Sequence, residues 1–167
     1  AQSNPQIHNL YEAYRRMYQA MGIQQIEQIL PPPPQPQPMD PGMENSQVLM
    51  QKPLQAFPEQ DHQAHIDAHR AFMSSYLVKN TPNIMALLQS HISQHISFLA
   101  RAEITAKNAP IIEQQAAQFG GQLPPQLQQQ FQIQNESQIA QRIRELTEEM
   151  VAEEQEYLEG MTQDPLV

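Results

Sequence analysis

The chain has 167 residues, of which 40% are apolar and 6% aromatic, with a mean hydropathy of −0.60, so it has room for one domain with a modest core. A net charge of −9 argues against a surface that grips phosphate backbones, which takes clustered Lys and Arg. With no cysteine there is neither a disulfide framework nor thiol chemistry, and without a run of about 18 apolar residues there is no membrane-spanning helix.

Glutamine takes the place of the missing hydrophobics at 29 positions; it tolerates helix geometry and buries little, which predicts thin helices that need neighbours. The start at Ala1 carries no signal-peptide pattern and no initiator methionine, and the chain stops abruptly at Asp164-Pro165-Leu166-Val167, so a fragment of a longer chain is expected.

In the first segment Ile7, Leu10, Tyr11, Tyr14, Met17, Tyr18 and Met21 fall on one helical stripe, with Asn4-Pro5 as the start signal and Gly22 as the stop. Ile23, Ile26, Ile29 and Leu30 continue as a short amphipathic turn or two until Pro31–Pro34 ends any helix, and the tract through Pro38 reads as an extended spacer. Asp40-Pro41 is an N-cap followed by a first-turn proline, predicting a short helix to about Met50 before Pro53 and Pro58 interrupt.

Asp61 caps a run holding His62, His65, Ile66, His69, Phe72, Met73 and Tyr76. Thr81-Pro82 opens a second run with Ile84, Leu88, His91, Ile92, His95, Ile96 and Leu99. The short connection around Lys79-Asn80 makes these an antiparallel helical hairpin. The second helix is expected to reach about Asn108, to kink or reset at Pro110, and to end at Gly120-Gly121. From Pro125 a long helix carries Ile139, Ile143, Leu146, Met150 and Tyr157 at helical spacing. Its C-terminal half is crowded with Glu148, Glu149, Glu153, Glu154, Glu156 and Glu159, the wrong sign for a helix C-terminus, so the helix should continue past Gly160 or have basic partners beside it. With no alternating strand candidate, the fold class is all-α: amphipathic helices, an antiparallel hairpin and a long C-terminal helix joined by Pro-rich linkers. The segments are 1–30, a linker with a short helix at 31–60, the His-rich hairpin and its extension at 61–119, and the Gln/Glu-rich helix at 120–167.

The histidines are the one feature that can carry chemistry. His62, His65 and His69 stand at i, i+3 and i+7, and His91 and His95 at i, i+4, so each set lies on one helical face. Antiparallel pairing about a turn near Lys79 sets His69 near His91 and His65 near His95. The preferred reading is packing at a helix interface with no metal or other cofactor, because His91 and His95 sit among Ile84, Leu88 and Leu99. A divalent transition metal held by His62, His65, His69, His91 and His95 is the alternative, and a pH-sensitive seam is a third. Gln63-Ala64 stands where a zinc hydrolase would have its Glu, and no Gly-rich phosphate loop, Gly-x-Ser-x-Gly or catalytic cysteine occurs, so no enzyme is expected. The Tyr11, Tyr14 and Tyr18 stripe is read as packing rather than base stacking, and the proline tract as a spacer rather than a ligand for an aromatic groove.

The string Leu54-Gln55-Ala56-Phe57-Pro58-Glu59-Gln60-Asp61-His62-Gln63-Ala64-His65-Ile66-Asp67-Ala68-His69 resembles the C-terminal region of portal proteins of tailed bacteriophages, where an Asp-His-x-x-His-Ile-x-x-His helix start recurs. Tyr11-Glu12-Ala13-Tyr14-Arg15-Arg16-Met17, Ile29-Leu30-Pro31, Asp40-Pro41-Gly42-Met43-Glu44-Asn45 and the closing Asp164-Pro165-Leu166-Val167 are similar to the same proteins. The resemblance implies a homo-oligomeric ring, usually a dodecamer, at one vertex of the virion, assembled in the host cytoplasm. Double-stranded DNA would pass through it without sequence-specific binding, and the parent chain would meet capsid, terminase and tail proteins. The residues expected at subunit or helix interfaces are Tyr14, Met17, His65, His69, Phe72, Ile84, Leu88, His91, His95 and Leu99. The alternatives are a phage scaffolding or assembly-chaperone protein and a His-cluster metal-binding helical protein.

Overall fold

The computed structural model describes residues 9–33 and 35–162, with side chains through Glu156. The Asn4-Pro5 start, Ile7, Pro34, the Tyr157 and Glu159 side chains and the closing Asp164–Val167 lie outside the described residues. Among those described the chain is all-helical: α1 (Leu10–Ala20), α2 (Ile26–Ile29), α3 (Pro41–Leu49), α4 (His62–Met73), α5 (Tyr76–Lys79), α6 (Pro82–Gln118) and α7 (Pro125–Thr162). No helix among them is long and apolar enough to cross a membrane. The chain forms two compact units, residues 1–37 and 38–167.

In the first unit, α1 is capped by Asn9, whose side chain accepts from the Glu12 amide at 3.0 Å. It closes at Gly22 (φ +70°): the Ile23 and Gly22 amides donate back to Tyr18 and Gln19 carbonyls, a left-handed turn that suits glycine. No residue of α1 is buried, and its apolar stripe, including Leu10, Tyr14, Met17 and Met21, is exposed.

The second unit is built on the long α6. Its buried positions Ile84, Leu88, His91, Ile92, His95, Ile96, Ala100 and Ile104 form one stripe at three- and four-residue steps. Against its N-terminal half lie α3, α4 and α5, with Val48, Val78, Ile84 and Leu88 as one buried cluster, flanked by Phe72. Ile66, Ile92 and Ile96 join α4 and α6 under Leu99 and the α7 residues Ile143, Leu146 and Met150. Farther along, Ala100 and Ile104 meet Ile139. The pairs Asn108–Asn135 and Glu103–Arg142 run in opposite chain directions, so α6 and α7 are antiparallel.

Three local expectations need correction. The hairpin's first helix does not run through Tyr76: it stops at Met73, and Tyr76 begins the separate turn α5, where it is 86% exposed. Pro110 neither ends nor resets α6, which is one helix from Pro82 to Gln118; on this exposed stretch water can take the carbonyl that the proline leaves free. The first helix starts from Asn9 as its cap. The acidic half of α7 does have a basic neighbour, since Arg70 Nη1 lies 2.7 Å from Glu153 Oε2, and α7 is helical past Gly160. Being largely exposed, that pair contributes at most about 1 kcal/mol.

Helix α3 is short, and its start depends on Asp40, whose Oδ1 accepts from the Gly42 and Met43 amides at 3.0 Å each. Asp40→Ala is expected to lower the stability of the second unit by about 1 kcal/mol in urea denaturation. An unchanged midpoint would show that α3 is held by its packing alone.

Candidate functional site

Three helices converge on one carboxylate. The Asp40 cap and first-turn Pro41 set α3 so that Glu44 and Val48, one turn apart, point into the second unit; both are 0% exposed. The α4 start at Asp61, whose Oδ1 accepts from the Ala64 amide, places His62, His65 and His69 on the inner face, and α6 presents His91 and His95 opposite. All five rings are buried. His65 packs on His95 with centroids 4.7 Å apart and His69 on His91 at 5.0 Å, while His62 stacks on Phe98 at 5.1 Å.

Glu44 Oε2 is the focus. Nε2 of His91 lies 3.0 Å from it, that of His69 3.1 Å and that of His65 3.6 Å. His95 Nε2 is 3.1 Å from His91 Nε2. Ligand-type atoms of Glu44, His69, His91 and His95 all lie within 4.8 Å of one another. Around them sits a second layer: the Gln60 amide donates to Glu44 Oε1 at 2.9 Å, His69 Nδ1 faces Asn45 Oδ1 at 2.7 Å, His65 Nδ1 faces the Asp61 carbonyl at 2.8 Å, and His95 Nδ1 faces His62 Nδ1 at 2.9 Å. His91 Nδ1 is buried with no partner.

Burial by itself would raise the Glu44 pKa, but the contacts with His69, His91 and Gln60 outweigh it and hold the carboxyl well below the ordinary carboxylate range. His95 goes the other way: burial, reinforced by neighbouring His91 and His65, lowers its pKa to about 3 against the pull of Glu44. Burial likewise lowers His62, against a hydrogen bond to the Pro58 backbone. The core of the site thus pairs an anion, Glu44, with a buried ring, His95, that resists taking up a second proton.

Of the residues singled out from sequence, His65, His69, His91 and His95 come together here, with His62 at the margin. Phe72, Ile84 and Leu88 pack in the adjoining apolar cluster and Leu99 in the next one. Tyr14 and Met17 belong to the first unit, 49% and 44% exposed. Sequence reasoning missed Glu44, Asn45 and Gln60, all in the stretch read as linker. One signal was available: Glu44 and Lys52 are the only charges between Pro41 and Pro58, and Glu44 shares a helical face with Val48. Surface grooves beside α4 are lined by residues such as Arg70, Met73, Lys79 and Glu153, away from the histidines. No protein-family model matches the chain, and no curated protein or solved structure matches it either.

Proposed function

We propose that the chain is a structural, non-catalytic helical module whose work is packing against other subunits. More particularly, we propose that it is the C-terminal region of a tailed-phage portal protein, part of the ring through which double-stranded DNA enters and leaves the capsid.

The observation that carries the first step is α1: an amphipathic helix with Leu10, Tyr14, Met17 and Met21 on its apolar stripe and no buried residue. An apolar face of that kind is stable in water when something covers it. Ile133 and Val151 on α7, 65% and 47% exposed, support the same reading. The second step is supported by the similarity of residues 54–69, with its His-rich helix start, to portal sequences. The negative charge suits a channel that lets DNA slide rather than one that traps it.

The native mass of the full-length parent protein tests this. A large closed ring, retained in mature particles, is the expected result, and Tyr14→Asp with Met17→Glu should abolish the ring while leaving helicity by circular dichroism unchanged. A parent that stays monomeric or dimeric rejects the portal reading, and a ring former that leaves the particle during maturation points to a scaffold instead.

A further inference from the structure

We propose that Glu44, His69, His91 and His95 bind one divalent first-row transition ion of the zinc type, which ties α3, α4 and α6 together. The inference rests on this cluster alone and stands or falls independently of the portal reading.

A neutral imidazole carries one N–H. His69 has one proton and two acceptors, the Asn45 side-chain oxygen 2.7 Å from Nδ1 and the Glu44 carboxylate 3.1 Å from Nε2, so whichever it serves, a ring lone pair meets an oxygen at the other. His65 is better served: Nδ1 faces the Asp61 carbonyl at 2.8 Å, and the Gln60 amide nitrogen lies 3.2 Å from Nε2, beside the Met39 carbonyl and Glu44. His91 Nε2 stands between Glu44 Oε2 at 3.0 Å and His95 Nε2 at 3.1 Å, and one proton there serves a single partner well. Electron pairs therefore outnumber protons at the centre of a fully buried cluster, an arrangement that is costly when nothing positive stands between them. A cation at the convergence of Glu44, His69, His91 and His95 resolves the contacts among those four at once.

The donor set decides which cation. Three imidazole nitrogens and one carboxylate oxygen, without thiolate, match zinc and its neighbours rather than magnesium or calcium, which take oxygen shells. Metal–ligand bonds of 2.0–2.1 Å in a tetrahedron put neighbouring ligand atoms about 3.4 Å apart. Three of the six ligand–ligand separations are 3.0–3.1 Å and need to open by a few tenths of an ångström; the other three lie within 4.8 Å, and the widest closes by side-chain rotation toward the ion. The outer layer is of the kind that fixes ligating groups: Asn45 orients His69, His62 orients His95, and Gln60 holds the free oxygen of Glu44. With four protein ligands and burial on all sides, the centre is of the closed, structural type. It would staple α3, which is nine residues long, to the hairpin in a chain whose apolar core is thin.

The test uses the untagged chain, stripped with chelator and titrated with Zn²⁺ or Co²⁺ alone. One ion per chain is expected, with the intense visible absorption of tetrahedral Co²⁺ and an X-ray absorption pattern of three imidazoles. At a thousandfold excess of free Zn²⁺ over Kd the melting temperature should rise by about 8–16 °C. His91→Gln should weaken Zn²⁺ binding at least about 100-fold, and Asn45→Ala, which removes only an orienting group, about 10- to 100-fold. Should His91→Gln fail to fold, the stoichiometry and Co²⁺ spectrum of the unaltered chain decide. A melting temperature indifferent to Zn²⁺, octahedral Co²⁺, or binding that His91→Gln leaves unchanged would overturn the proposal.

Discussion

Glu44→Ala in metal-free buffer is expected to destabilise the second unit by about 3–5 kcal/mol, read from urea denaturation. The carboxylate is sealed from solvent and is the shared partner of His69, His91 and Gln60. Its removal strands polar groups that water cannot reach and leaves a cavity beside α3. Glu44→Gln, which keeps the volume but loses the charge and places an amide among the imidazoles, is expected to cost less than the alanine. A loss under about 1 kcal/mol for Glu44→Ala would mean that the histidines satisfy one another and that the carboxylate is a passenger. The size of the effect comes from convergence: a carboxylate with one exposed partner, such as Glu136 with Arg101, contributes little by comparison.

The hairpin register was legible because three local signals agree. Asp61 marks one helix start, Thr81-Pro82 the other, and the short span between them leaves antiparallel pairing as the simple solution, so His65 opposite His95 follows by counting. The carboxylate was not legible in the same way. Its helix is nine residues long, opens on Pro41 between Pro38 and Pro53, and mixes apolar side chains with four consecutive polar ones, so periodicity says little about which face is inward. What turns Glu44 inward is tertiary: Val48 beside it packs on Val78 and Leu88, and Asn45 and Gln60 provide polar partners at both ends. Pro110 and Tyr76 teach the complementary lesson. A proline on an exposed helical stretch can be carried by the helix, and an aromatic in phase with a buried stripe is lost to the core once the helix stops at Met73.

Ile139→Asp is expected to release α7 from α6 over the stretch beyond Ala100 while leaving the histidine cluster folded. Past Ala100, α6 has lost α4 and α5 as neighbours, and the apolar contact with α7 is carried by Ala100 and Ile104 against Ile139, flanked by Ile143 and Leu146. Of the polar ties there, Glu103 with Arg142 and Arg101 with Glu136 are partly or largely exposed and contribute modestly, and buried Asn108 donates hydrogen bonds to Asn135 and Gln138. Ile139, only 4% exposed, is therefore the side chain whose loss the pair cannot absorb, and an aspartate there must either bury an unpaired charge or pull the helices apart. Separation costs less, because α7 is rich in Gln and Glu and is readily solvated. Hydrogen exchange should show protection falling by at least about 100-fold across 125–145 and in the facing 100–118, the change that corresponds to losing roughly 3 kcal/mol of local stability. Amides of 62–73 and 82–96 should keep theirs, since Ile66, Ile92, Ile96 and the Glu44 cluster do not depend on Ile139. Protection lost equally in all of these stretches would mean that the second unit folds as one cooperative block and that α7 is as integral to it as α4.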